Sequence, residues 1–358
     1  MNLSRVIDEL VEDRGLDRGT LHSIVVEAMV ASYQKKYPDL IFDAAYNKKT
    51  DEVEVFIEKE VVSSVTDADR EISLRKARVI KEGAAIGDLL TVPFEGAIGR
   101  IEVLKAKQII AQKIRAIEAS QVYDEFKSRE GGIVHGVVHK TERGGVVIKI
   151  QDQFAFLPKS LAIPNENFVV GRPIRALLRE VLPVPKNESQ LILDRVSEDF
   201  LRGLFSLEIP EIFDRLVEVK KIVREAGYKS KVIVVSNDPN IDPVGTCVGV
   251  GGARIKPILR EIGEEKIDII AQQDSLENLV KEALRPAEVN RVEVEDDAAR
   301  VWVNEDQRAL AIGKMGKNIS LASRLIDIGI DLVQPDTNSA PEDLFADVLD
   351  EDRQEGKE

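Results

Sequence analysis

A seven-residue pattern occurs twice in the C-terminal half of this chain and restricts its fold more than any other feature. The copies are GVGGARI, which starts at Gly249, and GKMGKNI, which starts 64 residues later at Gly313. Both follow the pattern G-x-x-G-x-x-I, and an aliphatic residue precedes each copy. A β-rich segment lies before each copy, and a helical stretch followed by a strand-like run lies after it. The sequence therefore predicts one supersecondary unit of about 65–75 residues, used twice.

The paired glycines suit a turn between two helices that lies against a nucleic acid. Without Cβ atoms, they allow the main chain to approach a sugar-phosphate strand. The N–H groups that begin the next helix then face the phosphates, and the helix dipole favours their negative charge. The turn resembles the one by which KH domains hold about four nucleotides of a single strand. The sequence leaves open a pair of domains kept for packing alone, because helix ends often carry glycine.

Basic residues accompany both copies, but in different positions. In the second copy Lys314 and Lys317 stand beside the glycines, whereas the first copy has no cation inside its turn. We expect the basic residues that follow the first turn to substitute for the missing cation. The predicted RNA-binding residues of the two turns are Gly249, Val250, Gly251, Gly252, Arg254, Lys256, Gly313, Lys314, Met315, Gly316, Lys317 and Asn318.

Residues 129–196 have the pattern of a small, basic β domain. From Gly131 onward, about five short β-like runs are separated by Gly, Pro and Asn, which is typical of a five-stranded barrel of the OB type. This segment has 10 Lys and Arg against 7 Asp and Glu, a charge of +3, whereas the whole chain carries -14. A positive segment on an acidic chain indicates a binding surface for an anion such as a nucleic acid.

Two pairs of side chains in this segment are candidates for RNA contact. Phe154 and Phe156 alternate with apolar residues on a predicted strand, so the two rings share a face. If that face is outward, the rings offer a platform on which bases stack. If it is inward, they are core residues. Arg175 and Arg179 share one side of a later strand and are candidates for phosphate contacts.

The first third of the chain predicts an α/β domain that ends in a connecting helix. Residues 3–36 have apolar side chains at helical spacing, and the run from Val53 to Ile57 has the alternation of a half-buried strand. From Gly99 to about Arg129 the pattern is helical, without Pro or Gly after its first residue. The predicted fold class is multidomain α+β: an α/β N-terminal domain with a long connector helix, a five-stranded OB-type β-barrel, and two tandem copies of the repeated unit.

Composition and the remaining motifs point away from catalysis and membranes. A single cysteine, Cys247, excludes an internal disulfide, and no apolar run approaches the roughly 20 residues needed to cross a bilayer. His135 and His139 lie in a valine-rich stretch; on a strand their rings would be roughly 13 Å apart, too far to share one metal ion. We expect a cytoplasmic monomer with no cofactor, no metal site, no catalytic residue and no membrane segment.

Several phrases of the sequence resemble the NusA family of bacterial transcription factors: GRIEVLKAKQIIAQKI before the barrel, IDPVGTCVG before the first turn, and AIGKMGKNISLASRL around the second. The likeness extends over residues 1–335. It implies an N-terminal domain that docks on RNA polymerase, and an S1-type barrel and two tandem type II KH domains that bind nascent single-stranded RNA. It also implies regulation of pausing, intrinsic termination and antitermination, together with other antitermination factors.

The resemblance also implies domain boundaries. These are 1–128 for the polymerase-binding domain, 129–196 for the S1 domain, 197–275 for the first KH domain, 276–342 for the second KH domain and 343–358 for an acidic, disordered tail. One departure concerns the barrel: S1 domains generally carry an aromatic and a histidine on the RNA face. Here the run RGGVVIKI has no aromatic residue, and Pro158 stands at the histidine position.

Two other functions stay open from the sequence. An RNA-processing or RNA-decay protein would use KH and S1 modules to hold its substrate, as polynucleotide phosphorylase does. In that enzyme, however, the KH module precedes the barrel and a large catalytic core precedes both. A pure adaptor would bind a protein through its N-terminal domain and contact RNA only incidentally.

Overall fold

Two compact units, Met1–Val122 and Tyr123–Glu358, make up the chain. The computed structural model describes residues 18–47, 50, 52–94, 96, 100–186, 189–295 and 297–333. The predicted helical pattern before residue 18 and the acidic tail of residues 343–358 lie outside the described residues. None of the helices in these described ranges is long and apolar enough to span a membrane.

A four-stranded sheet with a helix beside it forms the core of the first unit. Its elements are α1 (Arg18–Lys36), β1 (Phe42–Asn47), β2 (Glu52–Val62), β3 (Glu71–Ser73), α2 (Leu74–Ile80) and β4 (Leu89–Pro93). The long strand β2 pairs antiparallel with β1 and β4 and parallel with β3. The rings of Tyr33, Phe42 and Phe94 pack against one another in the core. The strand predicted around residues 53–57 is therefore confirmed as part of β2.

The predicted connecting helix is the 28-residue α3 (Arg100–Lys127). The boundary between the two units falls within it. In the first unit Ile114 of α3 packs against Leu21 and Ile24 of α1. In the second unit Phe126 is fully buried, and the guanidinium of Arg129 lies 4.9 Å from the centre of its ring. One helix thus contributes core side chains to both units, as expected of a connector.

The β domain predicted after Gly131 is a closed five-stranded barrel. Its strands are β5 (Ile133–Glu142), β6 (Gly145–Ile150), β7 (Gln153–Pro158), β8 (Pro173–Lys186) and β9 (Ser189–Asp194), in the order β5-β6-β7-β9-β8. The predictions of a strand through His135 and His139 and of a five-stranded barrel are both confirmed. Closure leaves no unpaired edge, so the barrel core is completed by its own inward side chains.

The repeated unit is present twice, and both copies contain the order helix, strand, strand, helix, helix, strand. The first copy has one additional short helix after its first helix. In each copy the first two strands pair antiparallel, and the last strand pairs parallel with the middle one. The first copy consists of α4 (Glu198–Glu208), α5 (Pro210–Phe213), β10 (Val217–Glu225), β11 (Lys229–Ser236), α6 (Pro243–Val248), α7 (Ile255–Ile262) and β12 (Lys266–Ala271). The second consists of α8 (Leu276–Ala283), β13 (Arg291–Glu295), β14 (Ala298–Trp302), α9 (Glu305–Ile312), α10 (Lys317–Ile326) and β15 (Gly329–Val333).

Shared cores join the barrel and the two repeated domains within the second unit. Leu177 of the barrel belongs to the same buried cluster as Phe200 and Ile258 of the first repeated domain. Ile233 of the first domain belongs to one cluster with Leu321 of the second.

The glycine turns lie between α6 and α7 and between α9 and α10. We call residues 249–252 the first corner and residues 313–316 the second corner.

Candidate nucleic-acid interface

The first glycine of each corner has a backbone conformation that excludes other residues. Gly249 has φ 71° and ψ 166°, and Gly313 has φ 72° and ψ 175°, a region that is essentially restricted to glycine. A Cβ at Gly313 would lie 2.6 Å from Cβ of Asn318, and a Cβ at Gly249 would lie 3.0 Å from Cγ of Arg254. The fold therefore requires glycine at these two positions, whatever the corners bind.

The second glycine of the second corner leaves free space at a helix N-terminus. Gly316 has the left-handed φ of 73°, and no atom lies within 4 Å of the place where its Cβ would stand. Helix α10 starts at the next residue, and no side chain caps it. Met315, at the tip of the corner, is 86% exposed. The backbone N–H of Lys317, the first of α10, donates to the carbonyl of Lys314. An anion at this corner would therefore meet the N–H groups that follow it, beginning at Asn318, and the helix dipole favours an anion there.

The two lysines of the second corner differ in their availability. Lys314 is exposed and forms no ion pair with any residue in the described ranges. Nζ of Lys317 lies 2.9 Å from Oε1 of Glu225 and 4.9 Å from the centre of the Tyr228 ring. A phosphate at this corner would meet one free ammonium, and a second that a carboxylate already contacts.

Asn318, one of the predicted RNA-binding residues, has a buried side chain. Its residue surface is 3% exposed, and its side-chain NH₂ donates to the backbone carbonyls of Leu284, Leu310 and Ala311. Its Oδ1 accepts a hydrogen bond from Lys229. Because every side-chain contact is internal, only the backbone N–H of Asn318 can belong to an RNA surface.

The first corner is open but has little positive charge. Val250 is 97% exposed, so the corner is not covered by other parts of the chain. Arg254 donates to the backbone carbonyl of Thr246 at 2.9 Å and to Oε1 of Glu211 at 2.8 Å. That Arg254 supplies the missing cation stays a prediction, and a phosphate there would meet a guanidinium that Glu211 already contacts. Lys256, which is exposed and without an ion pair among the described residues, is the cation that stays available.

The aromatic pair of the barrel faces outward. Phe154 is 40% exposed, whereas its neighbours Ala155 and Leu157 are fully buried in the barrel. The His139 ring lies beside Phe154, with centroids 4.8 Å apart, and Lys149 pairs with Phe154 across the β6–β7 ladder. The face thus combines flat rings with a cation, the combination that single-stranded nucleic acids bind on OB folds.

His139 is a member of this face that the sequence analysis missed. In the sequence, its spacing from His135 suggests only a metal ligand, because no aromatic residue stands near it in the chain. A β-bulge between Val138 and Lys140 locally changes the direction of the side chains on β5. Only the pairing of β5 with β6, and of β6 with β7, brings His139 next to Phe154. An aromatic residue close to His139 in the sequence would have indicated this face. The aromatic neighbour, Phe154, instead comes from strand β7.

The two barrel arginines are engaged in ion pairs. Arg175 contacts the carboxylate of Glu208 at the junction between the barrel and α4, and its guanidinium is half-buried. NH1 of Arg179 lies 3.1 Å from Oδ2 of the buried Asp194, while 52% of the Arg179 side chain is exposed. The exposed Arg179 is the better placed of the two for a phosphate, because Arg175 is part of the junction itself.

The described residues contain neither a reactive thiol nor a cluster of metal-binding side chains. Burial raises the pKa of the Cys247 thiol to about 12, so this side chain in α6 stays protonated and unreactive at neutral pH. Within the described ranges, no group of three or more His, Cys, Asp or Glu side chains is arranged to hold a metal ion. The structural features that stand out are the two open corners and the aromatic face of the barrel.

A β-barrel of this kind, joined to two domains with a glycine corner at a helix N-terminus, is the architecture of a modular protein for single-stranded nucleic acids. Comparison with known families agrees with this class. The NusA N-terminal domain matches residues 2–120, the NusA-like first KH domain matches residues 195–272, and the NusA-like second KH domain matches residues 276–340.

Curated relatives agree over almost the full chain. The transcription termination/antitermination protein NusA of Thermus thermophilus is 33% identical over 96% of this chain and 93% of its own length. NusA of Bacillus subtilis is 32% identical over 98% of this chain and 95% of its own length. NusA of Rickettsia conorii is 32% identical over 95% of this chain and 69% of its own length. The chain belongs to the NusA family of transcription termination/antitermination proteins.

Proposed function

We propose that this protein is a non-catalytic transcription elongation factor that binds RNA polymerase through its N-terminal domain and nascent single-stranded RNA through the barrel and both KH domains. In this role it regulates pausing, intrinsic termination and antitermination, together with other antitermination factors. Membership of the NusA family supports the assignment to transcription. The proposed domains keep the boundaries expected from the sequence, with the polymerase-binding domain ending near residue 128 and the RNA-binding domains following it.

The single observation that carries the RNA-binding part is the open second corner. Its glycine at residue 316 has no neighbour within 4 Å on the side of the missing Cβ, so a ribose-phosphate chain has room to lie against the main chain. No side chain caps the N–H groups of α10 that follow Lys317, and Lys314 adds a free positive charge. Hydrogen bonds from N–H groups to a charged phosphate are about twice as strong as neutral ones.

The barrel adds a second kind of contact. A base of the bound strand that is not stacked on another base gains roughly 1–3 kcal/mol of binding free energy when it stacks on an aromatic ring. Phe154, Phe156 and His139 supply such rings, and Lys149 supplies charge beside them. The proposal therefore assigns phosphate contacts to the corners and base stacking to the barrel.

The corner is tested by Gly316→Asp in the full chain. Asp tolerates a left-handed φ better than most residues, and its carboxylate would occupy the space assigned to a phosphate. We expect affinity for a labelled single-stranded RNA, measured by fluorescence anisotropy, to fall about tenfold or more. Gly83→Asp is the matched control, since Gly83 also has a positive φ and open space but lies in the first unit. Unchanged affinity in a folded Gly316→Asp protein would refute the corner as an RNA site.

Gly252→Asp asks the same question of the first corner. Gly252 has φ 78°, and the atoms nearest to a Cβ there would be Cε, Cδ and Cγ of the flexible Lys256 side chain, at 3.3–3.6 Å. Because the first corner has less available charge, we expect a smaller loss of affinity than at Gly316.

For the polymerase contact, crosslinking of the full chain to a stalled elongation complex identifies which residues reach RNA and which reach protein. Crosslinks from the first 128 residues to RNA alone would contradict the proposed division.

A further inference from the structure

A chain of polar contacts connects the first KH domain to the second corner. It begins at Lys229, the first residue of β11, whose Nζ lies 2.7 Å from Oδ2 of Asp268 on β12. The same ammonium donates to Oδ1 of Asn318 at 3.1 Å. Lys229 is 8% exposed and Asn318 is 3% exposed. This contact therefore joins two buried polar groups from different domains.

Asn318 also forms hydrogen bonds with the elements that flank the second corner. Its side-chain NH₂ donates to Leu310 and Ala311, the carbonyls at the end of α9, and to Leu284 at the end of α8. The corner follows α9 directly, and Gly313 packs against the Cβ and backbone N of Asn318. The amide thus holds the end of the helix before the corner to the start of the helix after it.

Lys229 and the helix-end carbonyls together fix the orientation of this amide. All three carbonyl contacts require the NH₂ group of Asn318 to point toward the helix ends, which turns Oδ1 toward β11. Oδ1 is then an acceptor in a buried place, and the Lys229 ammonium is the donor that satisfies it. A buried acceptor that loses its donor pays the full cost of its desolvation. Without Lys229, the amide is expected to change its orientation and release one or more of the helix-end carbonyls.

We propose that Lys229 of the first KH domain is a positioning residue for the RNA-binding corner of the second. The second corner is therefore a composite site, whose geometry depends on a side chain 84 residues before Gly313 in the sequence. The consequence for RNA affinity depends on the proposed function, but the consequence for the order of the corner does not. The ligand is the sugar-phosphate backbone of a single strand, as proposed above.

The structure contains a matched control for this proposal. Lys231, two residues further along β11, also contacts Oδ2 of Asp268, at 2.8 Å, and its side chain is fully buried. None of the hydrogen bonds to Asn318 comes from Lys231. If Lys229 served only to balance Asp268, the two lysines would be equivalent. If Lys229 positions the corner, only replacement of Lys229 should change the mobility of the corner.

The experiment places a nitroxide on the tip of the second corner of the full chain through Met315→Cys. Met315 is 86% exposed, whereas the native Cys247 is fully buried with a pKa raised to about 12, so the label goes to residue 315. Electron paramagnetic resonance without RNA then reports the mobility of the corner. We expect Lys229→Met to shorten the rotational correlation time about twofold, on the nanosecond scale of loop motions, and Lys231→Met to leave it unchanged.

The outcomes separate this inference from the proposed function. Equal spectra for Lys229→Met and the parent, or equal shifts for both lysine variants, overturn the positioning role. If Lys229→Met does not fold, Lys229→Gln gives the same comparison, because its shorter uncharged side chain also breaks the contact with Asn318. RNA affinity is measured on the two lysine variants and the parent with the native Met315 and no label, and a loss of about fivefold is expected for the Lys229 variant alone. A mobile corner with unchanged affinity would support the positioning role and contradict the RNA site.

Discussion

Single side chains decide how much of the positive charge near the corners is available to RNA. Lys314 is exposed without an ion pair in the described part of the chain, whereas Lys317 and Arg254 each contact a glutamate. Exposed ion pairs contribute only about 0–1 kcal/mol to stability. Their main effect here is therefore on binding, because a carboxylate beside a lysine competes with the phosphate that the lysine would otherwise attract.

Glu225→Gln tests this competition at the second corner. Removing the carboxylate that contacts Lys317 should tighten RNA binding roughly two- to fivefold at low salt, with a change in folding stability below about 1 kcal/mol. The slope of log affinity against log salt should steepen by about 0.7 if Lys317 then neutralises one more phosphate. Glu218→Gln is the matched control, since Glu218 lies on the same strand β10 and contacts Lys220 instead. An equal gain in both variants would indicate general charge and not the corner.

Buried Lys231 gives a prediction for the pH dependence of stability. Burial lowers the pKa of Lys231 from its ordinary 10.5 to about 8, against the opposing attraction of Asp268. Between these values the unfolded chain holds more protons than the folded one, so folding stability gains from a rise in pH. Relative to Lys231→Met, the free energy of unfolding of the parent should rise from about pH 8 to about pH 10.5, by up to roughly 3 kcal/mol. Urea denaturation of both proteins across this range measures the difference, and a decrease would contradict the assigned direction.

Helices and strands follow from local patterns more directly than the binding surface does. The long helix α3 and the repeated helix–strand order were predictable, because hydrophobic periodicity and glycine spacing are local properties. The alternation along β7 places Phe154 and Phe156 on one face, but the sequence left open whether that face is outward. The partners of Asn318, Lys317 and Arg254 were not predictable, because they lie up to 92 residues away in the chain. His139 escaped for the same reason, since its neighbour Phe154 belongs to a strand two places along the barrel sheet.

Strand β7 is the element whose outward face makes the sharpest prediction. Phe154→Ala removes a ring that is 40% exposed, so the fold should be retained. We expect RNA affinity to fall by about 1–3 kcal/mol, or roughly 5- to 150-fold, through the lost stacking. The salt slope should stay unchanged, because phenylalanine neutralises no phosphate. Val184→Ala, at a 71% exposed position on β8 of the same barrel, is the control, and an equal effect of both substitutions would remove the stacking platform.

Across the whole chain, charge is distributed unevenly. The barrel segment carries +3, so the remaining 290 residues carry -17. RNA must therefore approach a mostly negative molecule and bind where basic side chains are close enough to attract it. Its affinity then depends on the salt concentration and on the acidic segments near the binding surfaces. Raising the salt screens repulsion from the acidic residues as well as attraction to the basic ones, over a distance of about 10 Å at 0.1 M.

The acidic tail offers the test of this competition at the level of the complete protein. Residues 343–358 contain seven Asp and Glu against Arg353 and Lys357, a charge of -5, and we expect them to compete with RNA for the basic barrel. Deleting this segment should tighten RNA binding several-fold at low salt, and the gain should disappear as screening shortens the range of the interaction. A tail of the same length with all seven acids replaced by Asn and Gln separates charge from chain length, and it should behave like the deletion. If the neutral tail binds RNA no better than the native one at low salt, the tail does not act through its charge.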